Sequence, residues 1–216
     1  MENCNSKKEK SSRYPLYFNS PINQKLKVKW EDGRKVLNTL NTNYSYGILE
    51  DVLNYGLDAI PLKNKEKVLV LGMGAGSVIK SLRKRYQSKA YIKAVELDPV
   101  VIKLAAKKFN IIPSSDLEII EKDAYKFIAK SKKTYDLIIV DIFIDLEVPK
   151  EFYSSTFWKE VEKRIRIGGF VLFNAGIDLT EEEIDQFLER LPANLIYQVI
   201  YNVFESNTLI ILNKID

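Results

Sequence analysis

Three glycines and an acidic residue are spaced in this sequence as a nucleoside-binding turn requires. Gly72, Gly74 and Gly76 occupy alternate positions after the apolar run 68–71, and Glu96 comes twenty residues after Gly76. Glycines permit positive φ values in a sharp strand-to-helix turn, and they lack the Cβ atoms that keep a ligand away from the backbone. A carboxylate at the end of the next strand can accept hydrogen bonds from both hydroxyls of a ribose. The pattern therefore predicts a site that holds a nucleoside.

The turn lacks the features of the two common phosphate-binding loops. Dinucleotide-binding turns place a third glycine or alanine where this chain has Ser77, and nucleoside-triphosphate loops end in Gly-Lys-Ser/Thr, which is absent. The spacing G-x-G-x-G resembles motif I of the class I S-adenosylmethionine-dependent transferases, whose ligand has no phosphate. The resemblance implies S-adenosylmethionine, or its decarboxylated form, as the cofactor.

Two more acids follow predicted strands. Asp123 precedes Ala124, so its carboxylate could accept from an adenine amino group while the Ala124 amide faces a ring nitrogen; it could equally cap the next helix. Asp141 ends an apolar strand under a loop that also contains Asp145. A partly desolvated carboxylate at that position accepts a proton or holds a cation, and the alternative is a turn cap.

Alternating strands and helices must position these residues. Short apolar runs predict buried strands, and apolar residues at helical spacing predict the helices between them. The predicted strands are 68–71, 90–95, 117–120, 137–140 and 170–174, and the helices are 48–60, 77–86, 100–109, 125–130, 152–165 and 181–191. With an antiparallel hairpin formed by 196–204 and 208–212, this order predicts an α/β fold with a doubly wound, mostly parallel, seven-stranded Rossmann-like sheet.

The N-terminal part has a different character. Residues 1–13 are polar and lysine-rich, which predicts a disordered tail. Residues 14–43 are predicted to form a β-hairpin extension, because 26–30 alternate apolar and polar side chains before an Asp32-Gly33 turn. Residues 44–216 then form the nucleoside-binding domain.

The segment from Tyr44 to Gly169 resembles the spermidine synthase-like family. The matching pieces are YSY at 44–46, GMGAGS at 72–77, VELDP at 95–99, KDA at 122–124, the strand ending at Asp141, and IGG at 167–169. The resemblance implies that Glu96 binds ribose and that Asp141 faces the attacking amine. The predicted cofactor-binding residues are Gly72, Met73, Gly74, Ala75, Gly76, Glu96, Leu97, Asp123, Ala124 and Asp141. Among the predicted catalytic residues, Asp141 is the candidate base, Asp145 is the second candidate, and Tyr46 lines the acceptor pocket.

Three departures from the aminopropyltransferase pattern affect the predicted reaction. Ala75 stands where that pattern has an aspartate for the donor's amino group, Gly47 replaces a glutamine, and the loop 141–145 reads DIFID with its second acid shifted by one position. A dicationic acceptor needs carboxylates at both ends. The departures favour methyl transfer to a small acceptor, an amine being one candidate. Polyamine aminopropyl transfer is the alternative, and non-catalytic nucleoside binding is a second alternative.

Composition excludes several other classes of function. The 216-residue chain has no histidine and one cysteine, Cys4, so imidazole chemistry is excluded and no metal site is expected. The lone cysteine and the absence of an apolar leader or spanning segment predict a reducing, cytoplasmic location without membrane attachment. The net charge of +4 is mild, and the basic residues between 80 and 85 are read as a solvated helix face, so nucleic acid is not an expected partner. The family resemblance implies a homodimer.

Overall fold

The structure, a computed structural model, describes residues 15–31, 33–39, 43–45, 48–145, 147–177, 179–205 and 207–216. The strands are β1 (Leu16–Ser20), β2 (Gln24–Glu31), β3 (Arg34–Asn38), β4 (Asn43–Ser45), β5 (Lys67–Leu71), β6 (Tyr91–Glu96), β7 (Leu117–Glu121), β8 (Tyr135–Val140), β9 (Ile165–Asn174), β10 (Leu195–Val203) and β11 (Asn207–Lys214). The helices are α1 (Ile48–Asp58), α2 (Ser77–Lys84), α3 (Pro99–Phe109), α4 (Ala124–Lys130), α5 (Ser155–Arg164) and α6 (Glu181–Leu188).

Seven strands form the main sheet in the order β10-β11-β9-β8-β5-β6-β7. Strands β9, β8, β5, β6 and β7 are parallel, and β11 runs antiparallel to both β9 and β10. The predicted doubly wound α/β sheet is therefore confirmed. The chain moves outward from β5 to β7 and then returns to β8 on the other side of β5. The turn after β5 and the loop after β8 consequently lie side by side at the switch point, where ligands bind in such sheets.

The central strand β5 is buried on both faces, as its continuous apolar run predicts. Val68 and Val70 belong to the core under α1, α2 and α3, while Leu69 and Leu71 belong to the core under α4, α5 and α6. All four side chains are at most 1% exposed. This two-sided packing fixes the end of β5, and with it the start of the glycine turn. Within the described ranges, no helix has the length and apolar character needed to cross a bilayer.

The N-terminal part forms a four-stranded antiparallel sheet in the order β1-β2-β3-β4. The predicted hairpin is the β2–β3 pair, in which Glu31 lies opposite Arg34. Strands β1 and β4 add to it, and β4 is formed by residues 43–45, for which no strand was predicted. Three residues are too few to show the period-2 alternation that marks a strand, which is why the sequence pattern missed it. Leu26 and Val28 are fully buried in the core that α3 also enters, so this sheet packs on the main domain.

Two predicted boundaries are wrong. The helix predicted over 152–165 is divided into a 3₁₀ helix at Lys150–Tyr153 and α5, because the Ser154 hydroxyl accepts the Phe157 amide hydrogen (3.3 Å) and starts a new helix. Strand β9 begins at Ile165 and runs through Gly168 and Gly169, whereas the strand was predicted to begin at residue 170. The pairing of β8 with β9 shifts register there, so the glycines lie in an irregular strand segment.

A substitution at Gly72 tests whether the ends of β5 and β8 are in contact at the switch point. Gly72 has φ +85°, and a Cβ atom added to it would lie 2.0 Å from the Asp141 carbonyl oxygen. Gly33 has a similar φ of +73° but no atom within 4 Å of such a Cβ. We expect Gly33→Ala to cost about 1 kcal/mol of unfolding free energy, from backbone conformation alone. Gly72→Ala should cost more than about 3 kcal/mol, because the β5 and β8 ends must separate.

Urea denaturation of the two variants measures this difference directly. Because the backbone conformations match, the excess destabilisation of Gly72→Ala isolates the close approach to Asp141. Equal losses in the two variants would show that the strand ends are not in contact.

Candidate functional site

The glycine turn after β5 is joined by hydrogen bonds to the end of β6. The backbone N–H groups of Gly72 and Met73 both donate to the Val95 carbonyl, each at 3.0 Å. Gly74 has φ +55° and donates its N–H to the Glu96 Oε2 atom at 2.9 Å. The turn and the predicted ribose-binding acid are therefore brought together. Ala75 is fully buried within the same turn.

Protein atoms fill the space that two of the three glycines leave. The Cβ position of Gly72 is occupied by the Asp141 carbonyl, and that of Gly76 lies 2.5 Å from Ile111 Cγ1. All three glycines have the positive φ values predicted for a sharp turn, but at Gly72 and Gly76 the missing Cβ atom leaves room for protein atoms rather than for a ligand. Gly74, whose amide faces Glu96, is the member of the triplet that is coupled directly to the acid.

Glu96 lies at the end of β6 and is only 5% exposed. Its Oε1 atom accepts the N–H groups of Leu97 (2.9 Å) and Asp98 (3.0 Å), and its Oε2 atom accepts that of Gly74. Burial raises the pKa of Glu96, and these three amides act in the opposite direction. An ionised carboxylate has about four acceptor positions, so Oε2 keeps capacity for one more donor. A ligand with two neighbouring hydroxyl groups could place one at this free position on Oε2. Its other hydroxyl would share Oε2 with the Gly74 N–H group or replace that N–H group as donor.

Asp98 connects this acid to the N-terminal sheet, a contact that the sequence analysis missed. The Asp98 side chain is fully buried, and its Oδ1 atom caps α3 by accepting the Val100 amide hydrogen at 2.8 Å. Its Oδ2 atom accepts from the Ser20 hydroxyl and from Asn23 Nδ2, the latter at 2.7 Å. The turn between β1 and β2 therefore holds the loop that carries Glu96.

We expect Ser20→Ala to lower the free energy of unfolding by about 1–3 kcal/mol, because it removes a buried donor from a charged acceptor. Ser114→Ala is the matched control, since the Ser114 hydroxyl donates to the exposed carboxylate of Asp116. Loss of that solvated bond should change stability by less than about 0.5 kcal/mol. Thermal or urea unfolding measures the stability of both variants. Similar losses of unfolding free energy would show that the buried Ser20–Asp98 hydrogen bond stabilises the fold no more than the exposed one does.

The Asp123-Ala124 pair lies beside Glu96 at the end of β7. The Lys122 amide hydrogen bonds the Glu96 carbonyl at 2.9 Å, which fixes this loop against β6. Asp123 Oδ1 accepts the Lys126 amide hydrogen at 2.8 Å. Asp123 therefore caps helix α4, which is the second of its two predicted roles. Ala124 is buried. Leu97 is 39% exposed and covers the same edge of the sheet.

Asp141 follows β8 on the opposite side of the glycine turn. Its amide donates to the Leu71 carbonyl at 2.9 Å, and its Oδ1 atom accepts from Asn174 Nδ2 at 2.9 Å. Burial raises the pKa of the Asp141 carboxyl from 3.8 to about 6, and the Asn174 hydrogen bond opposes that rise. The side chain keeps partial exposure. A carboxyl with this pKa is ionised at neutral pH and is a stronger base than an ordinary aspartate.

The second acid of this loop has a different environment. Asp145 has φ +57°, and its Oδ1 atom accepts from the Thr39 hydroxyl of the N-terminal sheet at 2.9 Å. Asp141 is therefore hydrogen-bonded to Asn174 at the end of β9, whereas Asp145 is hydrogen-bonded to Thr39 directly after β3. Tyr46, the third predicted catalytic residue, lies outside the described residues.

Other charged groups lie apart from this edge. Arg83 of helix α2 forms an ion pair with Asp116 (2.9 Å), and Arg85, directly after that helix, forms one with Asp58 (2.6 Å). In the ranges that the structure describes, no three acidic or cysteine side chains are grouped as a metal site would need. The arrangement thus presents two carboxylates, Glu96 and Asp141, on either side of one glycine turn.

Comparison with known proteins places this arrangement in a family. The family model described as the spermine/spermidine synthase domain matches residues 48–208. Polyamine aminopropyltransferase 2 of Aquifex aeolicus is 30% identical over 132 residues, covering 57% of this chain and 26% of the relative. Putrescine N-methyltransferase 2 of Nicotiana attenuata is 30% identical over 154 residues, covering 69% of this chain and 40% of the relative. The chain therefore spans only about a quarter to two fifths of these two relatives.

A solved structure supports the fold. The crystal structure of a probable spermidine synthase from Corynebacterium glutamicum superimposes with a TM-score of 0.77 and 14% identity, covering 94% of this chain and 81% of that one. The match over 48–208, which includes the glycine turn, Glu96 and Asp141, shows that this chain belongs to the spermine/spermidine synthase domain family.

Proposed function

We propose that the chain is an N-aminopropyltransferase that uses decarboxylated S-adenosylmethionine as donor and a small polyamine precursor such as putrescine as acceptor. The observation that carries this proposal is the position of two carboxylates around one glycine turn, the buried Glu96 on one side and the partly exposed Asp141 on the other. Family membership and the name of the Aquifex aeolicus relative support the aminopropyl alternative over methyl transfer, which the sequence departures favoured. The Nicotiana attenuata relative is named a methyltransferase, so the assay below distinguishes the two reactions.

The residues around Glu96 fit the nucleoside part of the donor. The Oε2 atom keeps an acceptor position for a ribose hydroxyl, and the Gly74 amide beside it can be exchanged for the second hydroxyl. Asp123 and Ala124 are held next to Glu96 by the Lys122 hydrogen bond and are proposed to meet the adenine. Met73, Ala75 and Leu97 surround the same turn and complete the proposed donor site.

The bound donor supplies a sulfonium, whose adjacent carbon is attacked by the acceptor nitrogen while the carbon–sulfur electron pair stays on sulfur. Asp141 is proposed to bind the acceptor's ammonium group and to take its proton, which frees the nitrogen lone pair. An alkylammonium group has a pKa near 10, so a carboxylate with a pKa of about 6 is better matched to it than one of 3.8. Asp145, hydrogen-bonded to Thr39, is assigned a supporting role, and Tyr46 is proposed to line the acceptor pocket.

The test is a direct assay of the transferred group. The purified chain is incubated with putrescine and either decarboxylated S-adenosylmethionine or S-adenosylmethionine, and mass spectrometry identifies the amine products. We expect an aminopropyl adduct with the decarboxylated donor and none with the other. A methylated amine as the sole product would replace the proposal by methyl transfer. If no product forms and calorimetry detects no binding of either donor, the chain is not a transferase.

A further inference from the structure

A chain of buried amides ends on Asp141. Asn174, the last residue of β9, is 0% exposed, and Asn207, the first residue of β11, is 4% exposed. Asn207 Nδ2 donates to Asn174 Oδ1 at 2.9 Å, and Asn174 Nδ2 donates to Asp141 Oδ1 at 2.9 Å. The three side chains therefore form one directed series of hydrogen bonds, with each amide donating towards the carboxylate.

Two donors that face Asn174 Oδ1 fix the direction of this series of hydrogen bonds. Asn174 Oδ1 also accepts the Gly176 amide hydrogen at 3.2 Å, so two donors hold that atom. If the Asn174 amide turned over, its NH₂ group would face both of those donors and its oxygen would face the Asp141 carboxylate. Such an arrangement would leave buried groups unsatisfied at a cost of about 1–3 kcal/mol each.

The backbone around the two amides is also fixed. Asn174 pairs with Leu209 in the β9–β11 ladder, and the ladder continues beyond Asn174 through hydrogen bonds from Ala175 to Thr208 (2.9 Å) and from Thr208 to Gly176 (2.8 Å). Polar side chains at such buried positions are retained when they satisfy a partner, since apolar residues of similar volume would pack there without that requirement.

We infer that Asn174 and Asn207 are positioning residues for the proposed base: Asn207 sets the orientation of the Asn174 amide, and Asn174 holds one oxygen of Asp141 so that the other is left for the acceptor amine. This inference rests on the proposed function for its consequence in turnover. Within the described residues, Asn174 is the one side chain that donates a hydrogen bond to Asp141.

The same contact controls the protonation of Asp141. Its pKa has two causes, burial, which raises it, and the Asn174 hydrogen bond, which lowers it. The acids of the adjoining elements, Glu96 on β6 and Asp145 and Glu147 in the loop after β8, are not among them. Removing the donor leaves burial unopposed, so the pKa of Asp141 must rise when Asn174 loses its orientation.

The experiment measures the Asp141 titration in the full chain by ¹³C-carboxyl NMR, with the signal assigned by its loss in Asp141→Asn. Asn207→Ala removes the outer donor, and Asn207→Asp reverses its hydrogen-bonding direction in the same volume. Asn213→Asp is the control, because Asn213 lies on the same strand but its Nδ2 donates to the Gly169 carbonyl near the other end. We expect the Asp141 midpoint to rise by about half a pH unit or more in Asn207→Ala and by about one unit or more in Asn207→Asp.

The two Asn207 variants distinguish two causes of a higher Asp141 midpoint: loss of the Asn174 orientation, which both variants produce, and an added negative charge, which only Asn207→Asp produces. A rise in both, with Asn213→Asp unchanged, supports the inference. A rise in Asn207→Asp alone would reflect only an added negative charge and would overturn it, as would an unchanged midpoint in both. The acidic limb of the kcat/KM profile should move with the NMR midpoint while donor affinity stays constant. If the midpoint moves but neither donor is turned over, the positioning role stands and the proposed function fails.

Discussion

Replacing Asp141 by asparagine should reduce kcat by about 10²–10⁴-fold while leaving donor affinity unchanged. The substitution keeps the volume and the acceptor for the Asn174 amide, and it removes the group proposed to take the proton. In the parent enzyme, kcat/KM should fall about tenfold per pH unit below the Asp141 pKa of about 6, and this acidic limb should be missing from the variant. Stopped assays across pH 5–9 and calorimetry with the donor measure both quantities.

The same variant should be more stable than the parent at pH 7.5, which excludes misfolding as the reason for lost activity. The folded pKa of Asp141 is raised, so its stabilising contribution is complete below pH 3.8 and is lost as pH rises through about 6. Removing the ionised carboxylate therefore stabilises the protein above pH 6 by at most about 3 kcal/mol. Asp185→Asn, on the exposed face of α6, should change neither stability nor kcat. Parent-like turnover in Asp141→Asn would refute its role as base.

Replacing Glu96 by glutamine should weaken donor binding by about 10²–10⁴-fold. Glutamine preserves the shape of the side chain, but its NH₂ group cannot accept from a ribose hydroxyl or from a backbone amide. Two hydrogen bonds to a charged acceptor contribute about 1.5–3 kcal/mol each, which sets the expected range. Isothermal calorimetry with S-adenosylhomocysteine and with the decarboxylated donor measures the affinity.

Glu66→Gln is the matched control for that experiment. Glu66 is exposed just before β5, at the edge of the sheet opposite the glycine turn, and its substitution changes the net charge by the same amount. We expect parent affinity in Glu66→Gln. Unchanged affinity in Glu96→Gln would show that the nucleoside does not bind at the end of β6.

The architecture followed from the sequence wherever one physical signal dominated. The apolar run from Val68 to Leu71 predicts one buried strand, and the alternating residues before Gly33 predict one hairpin; strand β5 and the β2–β3 pair confirm both. The boundary at Ser154 depended on a competition between helix continuation and a serine cap, and the extra strand β4 depended on pairing with β3. Tertiary contacts decide such cases, and a local pattern does not contain them.

The sequence predicted where the two acids of the candidate site lie in the fold, but it did not predict the side chains that hydrogen-bond to them and to the loops that carry them. Glu96 and Asp141 were found because each ends an apolar strand of a parallel sheet. Asn174 ends β9 in the same way and could have been found by the same rule. Asn207 and Ser20 could not, because their contacts join residues 33 and 78 positions apart. The glycine triplet has the positive φ values that were predicted, but Asp141 and Ile111 occupy the space at Gly72 and Gly76 that was predicted to admit a ligand.

The N-terminal sheet contacts both halves of the site, through Ser20 and Asn23 to Asp98 and through Thr39 to Asp145. Lifting this sheet would break its hydrogen bonds to both loops in a single event. If binding at one loop orders this sheet, linkage requires that ligands at the two loops strengthen each other's binding by the same factor.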